Sequence, residues 1–319
     1  MKASVYYKYG NSEVLEMWEI EKPQPKADEI LVKVRATTVN RTDCAMLKSK
    51  PYIMRLFTGI FKPNHPILGT DFAGVIEEIG EEIKDYKIGD RVFGFNDLGV
   101  SSHAEYLCIS KKKAWAKIPG NVAFEHAAAS LEGAHYAINF INKVKIRPDQ
   151  EVLIFGASGA IGSAMVQILK SLSVKITAVG NARSTKKLQE MGFEKVLDYE
   201  KEDFRKLEEK FDFVFDAVGK SSFFKTKHLL KPNGVYISSE LGYMAQNIFL
   251  PVLTIFSGKK VKFPIPFDIN ASIQLIYKLL ENNEFEPFID KTYSIFQIRD
   301  AFDYADSGKK TGNLVVCFP

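Results

Sequence analysis

Residues 151–172 read EVLIFGASGAIGSAMVQILKSL. A four-residue apolar run, Val152–Phe155, breaks into three glycines, Gly156, Gly159 and Gly162. Beyond them Ile161, Met165, Ile168 and Leu172 recur on one face of a helical period. The run predicts a buried strand and the periodic segment a helix. A phosphate needs close, unhindered backbone N–H groups, and a helix start supplies them with a favourable dipole. Glycines at the turn leave the approach open. Gly156 ends the strand, Gly159 lies in the turn, and Gly162 lets helix and strand pack closely. Ser158, Ala160 and Ile161 belong to the same expected cradle. The spacing is G-x-x-G-x-x-G rather than the commoner G-x-G-x-x-G, so its meaning comes from the strand before it and the helix after it.

The pattern continues downstream. VKITAV, KVLDY, FDFVFDAV and GVYIS read as strands. STKKLQEM, with Ser184 as N-cap, EDFRKLEEK and SSFFKTKHLL read as helices between them. Such alternation implies a parallel sheet covered on both faces. Residues 1 to about 120 behave differently. EILVKVRATTV and GVIEEIG alternate in period two, GDRV and AEYLCI are further strands, and KPQPKADE, KIGDR and KIPGN are turns. After residue 264 come a helix at ASIQLIYKLLENN, the segment EPFIDKTYSI, a helix at IRDAFDYADSG and a last strand NLVVCF. The expected organisation is α/β. A nucleotide-binding domain at 124–264 is inserted into a β-rich domain made of 1–123 and 265–319.

The end of the second strand decides which dinucleotide. NAD sites usually carry an acid there for the ribose 2′-hydroxyl. Here Gly180 is followed by Asn181, Ala182, Arg183 and Ser184. Gly180 leaves room, and Asn181, Arg183 and Ser184 can donate to a 2′-phosphate, which favours NADP(H). Tyr199 is placed to flank the adenine end.

The bulk numbers narrow the class. The chain has 319 residues, 46% of them hydrophobic, and a net charge of +4. Lys111–Lys113 and Lys259–Lys260 are its tight basic clusters, too dispersed for a nucleic-acid stripe. Three widely spaced cysteines, Cys44, Cys108 and Cys317, argue against a disulfide framework and for a reducing, cytoplasmic setting. The opening MKASVYYKYG lacks the apolar stretch of a signal peptide. The run Ile248–Phe256 is too short to span a bilayer and contains Pro251. A buried wall or a subunit contact is its expected role.

The segments ILVKVRATTVNRTD, PILGTDFAGVIEEIG, KIGDRVFG, AEYL, GASGAIGSAMVQ, FDAVG and TGNLVV follow one another in the order and at about the spacings of the medium-chain dehydrogenase/reductase superfamily. The chain resembles that superfamily over nearly its whole length. It is most similar to the zinc-independent quinone oxidoreductases, the enoyl-reductase-like group. The resemblance implies a GroES-like β-rich domain around a Rossmann domain. It also implies a cofactor lying at the carboxyl ends of the parallel strands, and a homodimer formed through edge strands, here KKVKFPIPF.

Zinc alcohol dehydrogenases of this fold carry Cys where this chain has Asn40, and Gly-His-Glu where it has Gly69-Thr70-Asp71. Glu132 stands near the third ligand place without those partners. No zinc is expected. Zinc lowers the pKa of a bound water from 15.7 to roughly 7, and without that activation simple alcohol oxidation is disfavoured. An acceptor that spreads its own developing charge, a quinone or an α,β-unsaturated carbonyl, remains reducible by NADPH with hydrogen-bond assistance. By resemblance Asn40 and Thr70 lie near the nicotinamide, and Val218, Gly219, Ser238 and Ser239 line its ribose and carboxamide. Gly312 and Asn313 are expected to reach the cofactor from the other domain. Tyr52, His103, His135 and Tyr136 are capable proton donors, Tyr52 being the candidate retained. Aromatic segments 49–65 and 240–256 suggest a flat, hydrophobic small-molecule acceptor. Two other readings stand beside this one: a non-catalytic NADPH-binding scaffold, and a zinc-type alcohol dehydrogenase with relocated ligands.

Overall fold

A computed structural model describes residues 1–180, 185, 186, 188, 189, 195–265 and 268–319. The chain forms two compact units, Met1–Glu132 with Asp268–Pro319, and Gly133–Phe267.

In the first unit β1 (Lys2–Val5) and β2 (Glu16–Glu19) form an antiparallel pair. Then come β3 (Glu29–Thr38), β4 (Asp71–Ile79), β5 (Arg91–Phe95), β6 (Tyr106–Ser110) and β7 (Trp115–Lys117). The second unit contains β8 (Glu151–Phe155), β9 (Lys175–Gly180), β10 (Lys195–Asp198), β11 (Phe211–Asp216), β12 (Leu230–Ser238) and β13 (Lys260–Lys262). The chain returns to the first unit for β14 (Ile289–Ser294) and β15 (Asn313–Cys317).

The seven-stranded sheet of the first unit runs β14-β15-β3-β4-β5-β7, with β6 paired to β3. Its long central strand β3 turns Ile30, Val32 and Val34 into a core shared with Phe72, Ile76, Val92, Leu314 and Val316. The short helix Phe124–Ala129 packs on β3, β4 and β15. Its successive small residues Ala127, Ala128 and Ala129 are buried there.

The six-stranded sheet of the second unit runs β10-β9-β8-β11-β12-β13, every pair parallel. Strand β8 has β9 on one side and β11 on the other. The strand order therefore reverses at β8, the kind of switch point at which open α/β sheets place a ligand crevice. The buried run Val152–Phe155 is what a strand covered on both faces requires.

Three expectations change in detail. EDFRKLEEK forms only a 3₁₀ turn at Phe204–Lys206. Asp203 accepts from the Arg205 backbone N–H and from its guanidinium, a local closure that competes with helix propagation. SSFFKTKHLL is two short turns, because β12 already begins at Leu230. The apolar run is a helix, Gln246–Leu253, that anchors Leu250 and leaves Phe249, Val252 and Leu253 exposed, with Phe256 fully exposed beyond it. It is not the buried wall expected within the chain. Among the described residues no helix is long and apolar enough to cross a membrane.

Candidate functional site

In the second unit the expected residues gather at one end of the sheet. Strand register sets Phe155 beside Val179 and Asp216, and Asp216 beside Ser238. Gly156, Gly180, Val218, Gly219 and Ser239 follow directly beyond these ends. Gly156 adopts φ +73°, and a Cβ there would meet Val218 Cγ1 at 2.3 Å. Gly162 is the third residue of the helix Ala160–Lys170, where a Cβ would meet Gly156 O at 2.1 Å. Gly159 N-caps that helix with no side chain to occupy its first-turn N–H groups, while its own N–H donates to Gly156 O at 2.9 Å. Ser158 is buried in the turn, and Ala160 and Ile161 open the helix. This is the shape a diphosphate cradle requires.

Asp216 organises the neighbouring turn. Its Oδ1 accepts from the N–H groups of Val218 and Gly219, and its Oδ2 from Ser221 N–H and the Tyr236 hydroxyl. Ser239 N–H donates to Asp216 O. Tyr199 N–H donates to Gly180 O, so Tyr199 stands at the end of β10 beside Gly180, its ring exposed. A cavity of about 380 Å³ is lined there by Tyr199, Phe204, Arg205, Lys220 and Lys225, among others. Asn181, Arg183 and Ser184 lie outside the described residues.

The first unit holds a different kind of site. Asn40 N-caps the helix Arg41–Lys48, and Asp43 Oδ2 accepts from the Asn40 backbone N–H at 2.8 Å. Asn40 Nδ2 donates to Thr38 Oγ1 at 2.6 Å, and Thr38 Oγ1 donates to Asp71 Oδ2 at 2.5 Å. Thr70 Oγ1 donates to Glu132 Oε2 at 3.0 Å, and Thr42 Oγ1 to Glu132 Oε1 at 2.5 Å. Lys310 Nζ donates to Asn40 Oδ1 at 3.3 Å. Asn40, Asp43, Thr70, Asp71 and Glu132 are all buried. Lys310 is half-buried as a residue, and its ammonium end is enclosed.

Burial dominates the electrostatics. It pushes the carboxyls of Asp43 and Glu132 up to about 7 and that of Asp71 well above the usual carboxylate range. Burial also lowers the Lys310 ammonium, opposed by the charges of Glu132, Cys44, Asp43 and Asp71. His103 Nε2 meets Thr38 O at 2.9 Å, its Nδ1 has no partner among the described residues, and burial holds it down to about 4. His103 is thus a neutral core imidazole.

Asn40 Nδ2 lies 3.4 Å from Oδ2 of Asp71, the chain neighbour of Thr70, and Thr70 in turn donates to Glu132. Tyr52 is not part of this group: it is 68% exposed, with the Arg55 guanidinium 5.5 Å over its ring. Asn313 is buried and spends its amide N–H on Phe288 O, while Gly312 precedes it at φ +73°. Sequence reading overlooked Thr42, Asp43 and Lys310, and saw Glu132 only as a deserted metal ligand. The N-x-x-D spacing of Asn40 and Asp43 was the available signal, since it matches a capping box.

Residues 26–125 match the family described as alcohol dehydrogenase GroES-like domain, and residues 191–316 the family described as zinc-binding dehydrogenase. The chain is 30% identical over 244 residues to quinone oxidoreductase 1 of Escherichia coli (strain K12), covering 73% of this chain and 71% of that one. It is 27% identical over 331 residues to 2-methylene-furan-3-one reductase of Solanum lycopersicum, covering 99% and 79%. It is also 27% identical over 333 residues to the NADPH-dependent alkenal/one oxidoreductase of Arabidopsis thaliana, again covering 99% and 79%. Among solved structures, the quinone oxidoreductase from Coxiella burnetii superposes with a TM-score of 0.87 at 22% identity, covering 99% of both chains.

Proposed function

The chain belongs to the medium-chain dehydrogenase/reductase superfamily, and from that footing we propose that it reduces a quinone or an α,β-unsaturated carbonyl with NADPH and without zinc. The observation that carries the reading is the pair of buried hydrogen bonds Lys310–Asn40 and Thr70–Glu132, at the positions where the resemblance puts the zinc members' ligands. The groups it joins are an amide, a hydroxyl and a carboxyl, with an ammonium alongside. Zinc takes three or four Cys, His or carboxylate ligands. Asn40 is already committed to Thr38 and Lys310, and Thr70 to Glu132, so the set does not fit that ion.

The nicotinamide cofactor fits the second unit. The cradle at Gly156–Gly162 excludes side chains where a diphosphate would approach, and the helix N-terminus faces it. Gly156, Ser158, Gly159, Ala160, Ile161 and Gly162 would hold the diphosphate. Gly180, Asn181, Arg183, Ser184 and Tyr199 would hold the adenine end, and Val218, Gly219, Ser238 and Ser239 the nicotinamide ribose. When bound in reduced form, the cofactor supplies the hydride. The chain then has to accommodate negative charge arriving on the acceptor oxygen, and preorganised donors do this without metal. Asn40 and Thr70 are the proposed orienting residues, each fixed by its own hydrogen bonds. The names of the relatives, a quinone oxidoreductase and an alkenal/one oxidoreductase, agree with both acceptor classes.

The preference for NADPH rests on the absence of an acid after Gly180 and on Arg183. A homodimer is proposed through β13, an edge strand of the six-stranded sheet among the described residues, beside the exposed apolar residues Phe249, Val252, Leu253 and Phe256. Three unpaired cysteines suit a reducing compartment such as the cytoplasm.

The test follows nicotinamide absorbance with 1,4-benzoquinone, a panel of enones, and NADPH or NADH. Rapid oxidation of NADPH and slow oxidation of NADH is the expected result. Equal rates with both would refute the cofactor preference. No oxidation with any acceptor would refute the reductase reading and favour a non-catalytic NADPH-binding role.

A further inference from the structure

Lys310 lies far along the chain from the residues it meets, yet its place is tightly set. Thr311 N–H, next to it, donates to Asp290 Oδ2 at 2.8 Å. Asn313 N–H donates to Phe288 O at 2.7 Å. The short segment before β15 is therefore pinned on both sides of Gly312, and Lys310 is directed to Asn40 Oδ1. From the segment after β3 the groups that face it are Asn40, Asp43 and Cys44. From β4 it is faced by Asp71, and from the start of the helix Glu132–Asn142 by Glu132. His103, edge-on to Phe302 at 5.7 Å, is neutral and brings no charge. Lys310 is the cation whose charge acts on both Asp43 and Glu132. Its Nζ thus sits on Asn40, as the Glu132 carboxyl sits on Thr70.

A structural ion pair would place the ammonium directly on a carboxylate, as Lys231 is placed on Glu151 at 2.9 Å and Asp212 at 2.8 Å. Lys310 instead donates to an amide oxygen at 3.3 Å. An ammonium has three donors, so this arrangement leaves it able to serve another oxygen. The carboxyls hold charge balance from further away.

We propose that Lys310 is the electrophile and proton donor of the reaction: its ammonium, held against Asn40 and flanked by Glu132 and Asp43, stabilises and then protonates the oxygen of the reduced quinone or enone. The assignment rests on the reductase reading above. Hydride addition to the acceptor drives the π-electron pair onto its carbonyl oxygen. One N–H bond of Lys310 then breaks, an O–H bond forms, and the N–H electron pair stays on nitrogen as the neutral amine. The amine regains a proton from the Asp43–Glu132 acid cluster, which refills from solvent. Glu132 is a positioning and proton-reservoir residue, fixed by Thr42 and Thr70.

Two measurements test this. The first follows the Lys310 side-chain Nζ resonance in ¹⁵N-lysine-labelled protein without cofactor, assigned by its loss in Lys310→Met. A titration midpoint below the ordinary lysine value of about 10.4 is expected, and a midpoint at or above it overturns the proposal. The second compares Lys310→Met and Lys310→Arg with wild type in kcat, in the pH profile of kcat, and in NADPH Kd from protein fluorescence. Lys310→Met should lower kcat about 100-fold, the scale of losing one oxyanion donor, with NADPH Kd unchanged. Lys310→Arg keeps the cation but does not release its proton. It should retain part of the rate and lose the alkaline limb of the profile. Wild-type kcat in Lys310→Met, a wild-type profile in Lys310→Arg, or loss of NADPH binding in place of kcat would each overturn the assignment. If Lys310→Met does not fold, Lys310→Arg and the titration, assigned then from the arginine variant, decide it. Wild-type protein inactive with every acceptor refutes the reaction reading itself, whereas active wild type with an indifferent Lys310 refutes only this proposal.

Discussion

Around Gly156–Gly162 the site residues carry no charge and act by leaving space for a ligand. Around Asn40, Thr70 and Glu132 the residues bring three carboxyls, an imidazole and an ammonium into buried surroundings. The first arrangement is made of backbone, so its tolerance is set by distances of a few tenths of an ångström. The second is made of ionisable side chains, so its tolerance is set by pH and by which partner holds which proton. The proposed division of work follows from this: shape would hold the cofactor in one unit, and buried charge would meet the reacting oxygen in the other.

If that division is right, adding one methyl-sized group to the first region does more damage than removing a full charge from the second. Gly162→Ala is the sharpest test. Its Cβ would stand 2.1 Å from Gly156 O and 2.7 Å from Ala157 Cα, both backbone atoms that cannot swing away. Helix and strand must separate, which costs about 3 kcal/mol of stability as overpacking. Moving the helix start by even about 1 Å should weaken NADPH binding about 100-fold. Urea denaturation and fluorescence titration read the two effects. A stable variant that binds NADPH normally would show that the close approach is incidental.

The two regions also differed in how well the sequence announced them. Glycine at Gly156 and Gly162 has only backbone meaning, and the apolar run before it and the helical period after it fix where that backbone lies. Alternating strands and helices gave the parallel sheet for the same local reason. The segment 203–210 defeated the pattern because Asp203 folds back on Arg205, a contact that periodicity does not weigh. Lys310 defeated it for a different reason. Its partner Asn40 is 270 residues away, and a lysine next to another lysine reads as solvated surface until the fold encloses it. Thr42 and Glu132 are 90 residues apart and equally mute in sequence. Asn40 and Thr70 were legible only through the family resemblance, as places vacated by metal ligands.

Within the charged region the comparison sharpens into opposite pH dependences. Glu132 has its folded pKa raised, from 4.5 to about 7. The folded state therefore resists its ionisation, and this destabilisation is absent below about pH 4.5, grows as pH rises, and is complete above pH 7. Glu132→Gln keeps an acceptor oxygen for one of the Thr42 and Thr70 hydroxyls, offers the other an NH₂ to accept from, and removes the ionisation. Urea unfolding should find it more stable than wild type by about 3 kcal/mol at pH 8, with the gap closing toward pH 4.5. A constant gap across that range would mean that the carboxyl is not held protonated by burial.

His103 shows the reverse sign. Its folded pKa falls from 6.5 to about 4, so the unfolded chain binds the proton more readily and stability is lost as pH falls below 6.5. Between pH 6.5 and pH 5 this loss amounts to about 2 kcal/mol. His103→Gln can still donate to Thr38 O, but it cannot take up that proton. It should therefore unfold at a urea midpoint that is flatter with pH on the acid side than the wild-type midpoint, whatever its stability at pH 7. This is the smallest of the expected effects and the most specific, because it depends on a single nitrogen, Nδ1, unpaired among the described residues in a fully buried ring. If the acid slope survives the substitution, the proton responsible binds elsewhere. The imidazole would then join the glycines as a group that acts by its shape alone.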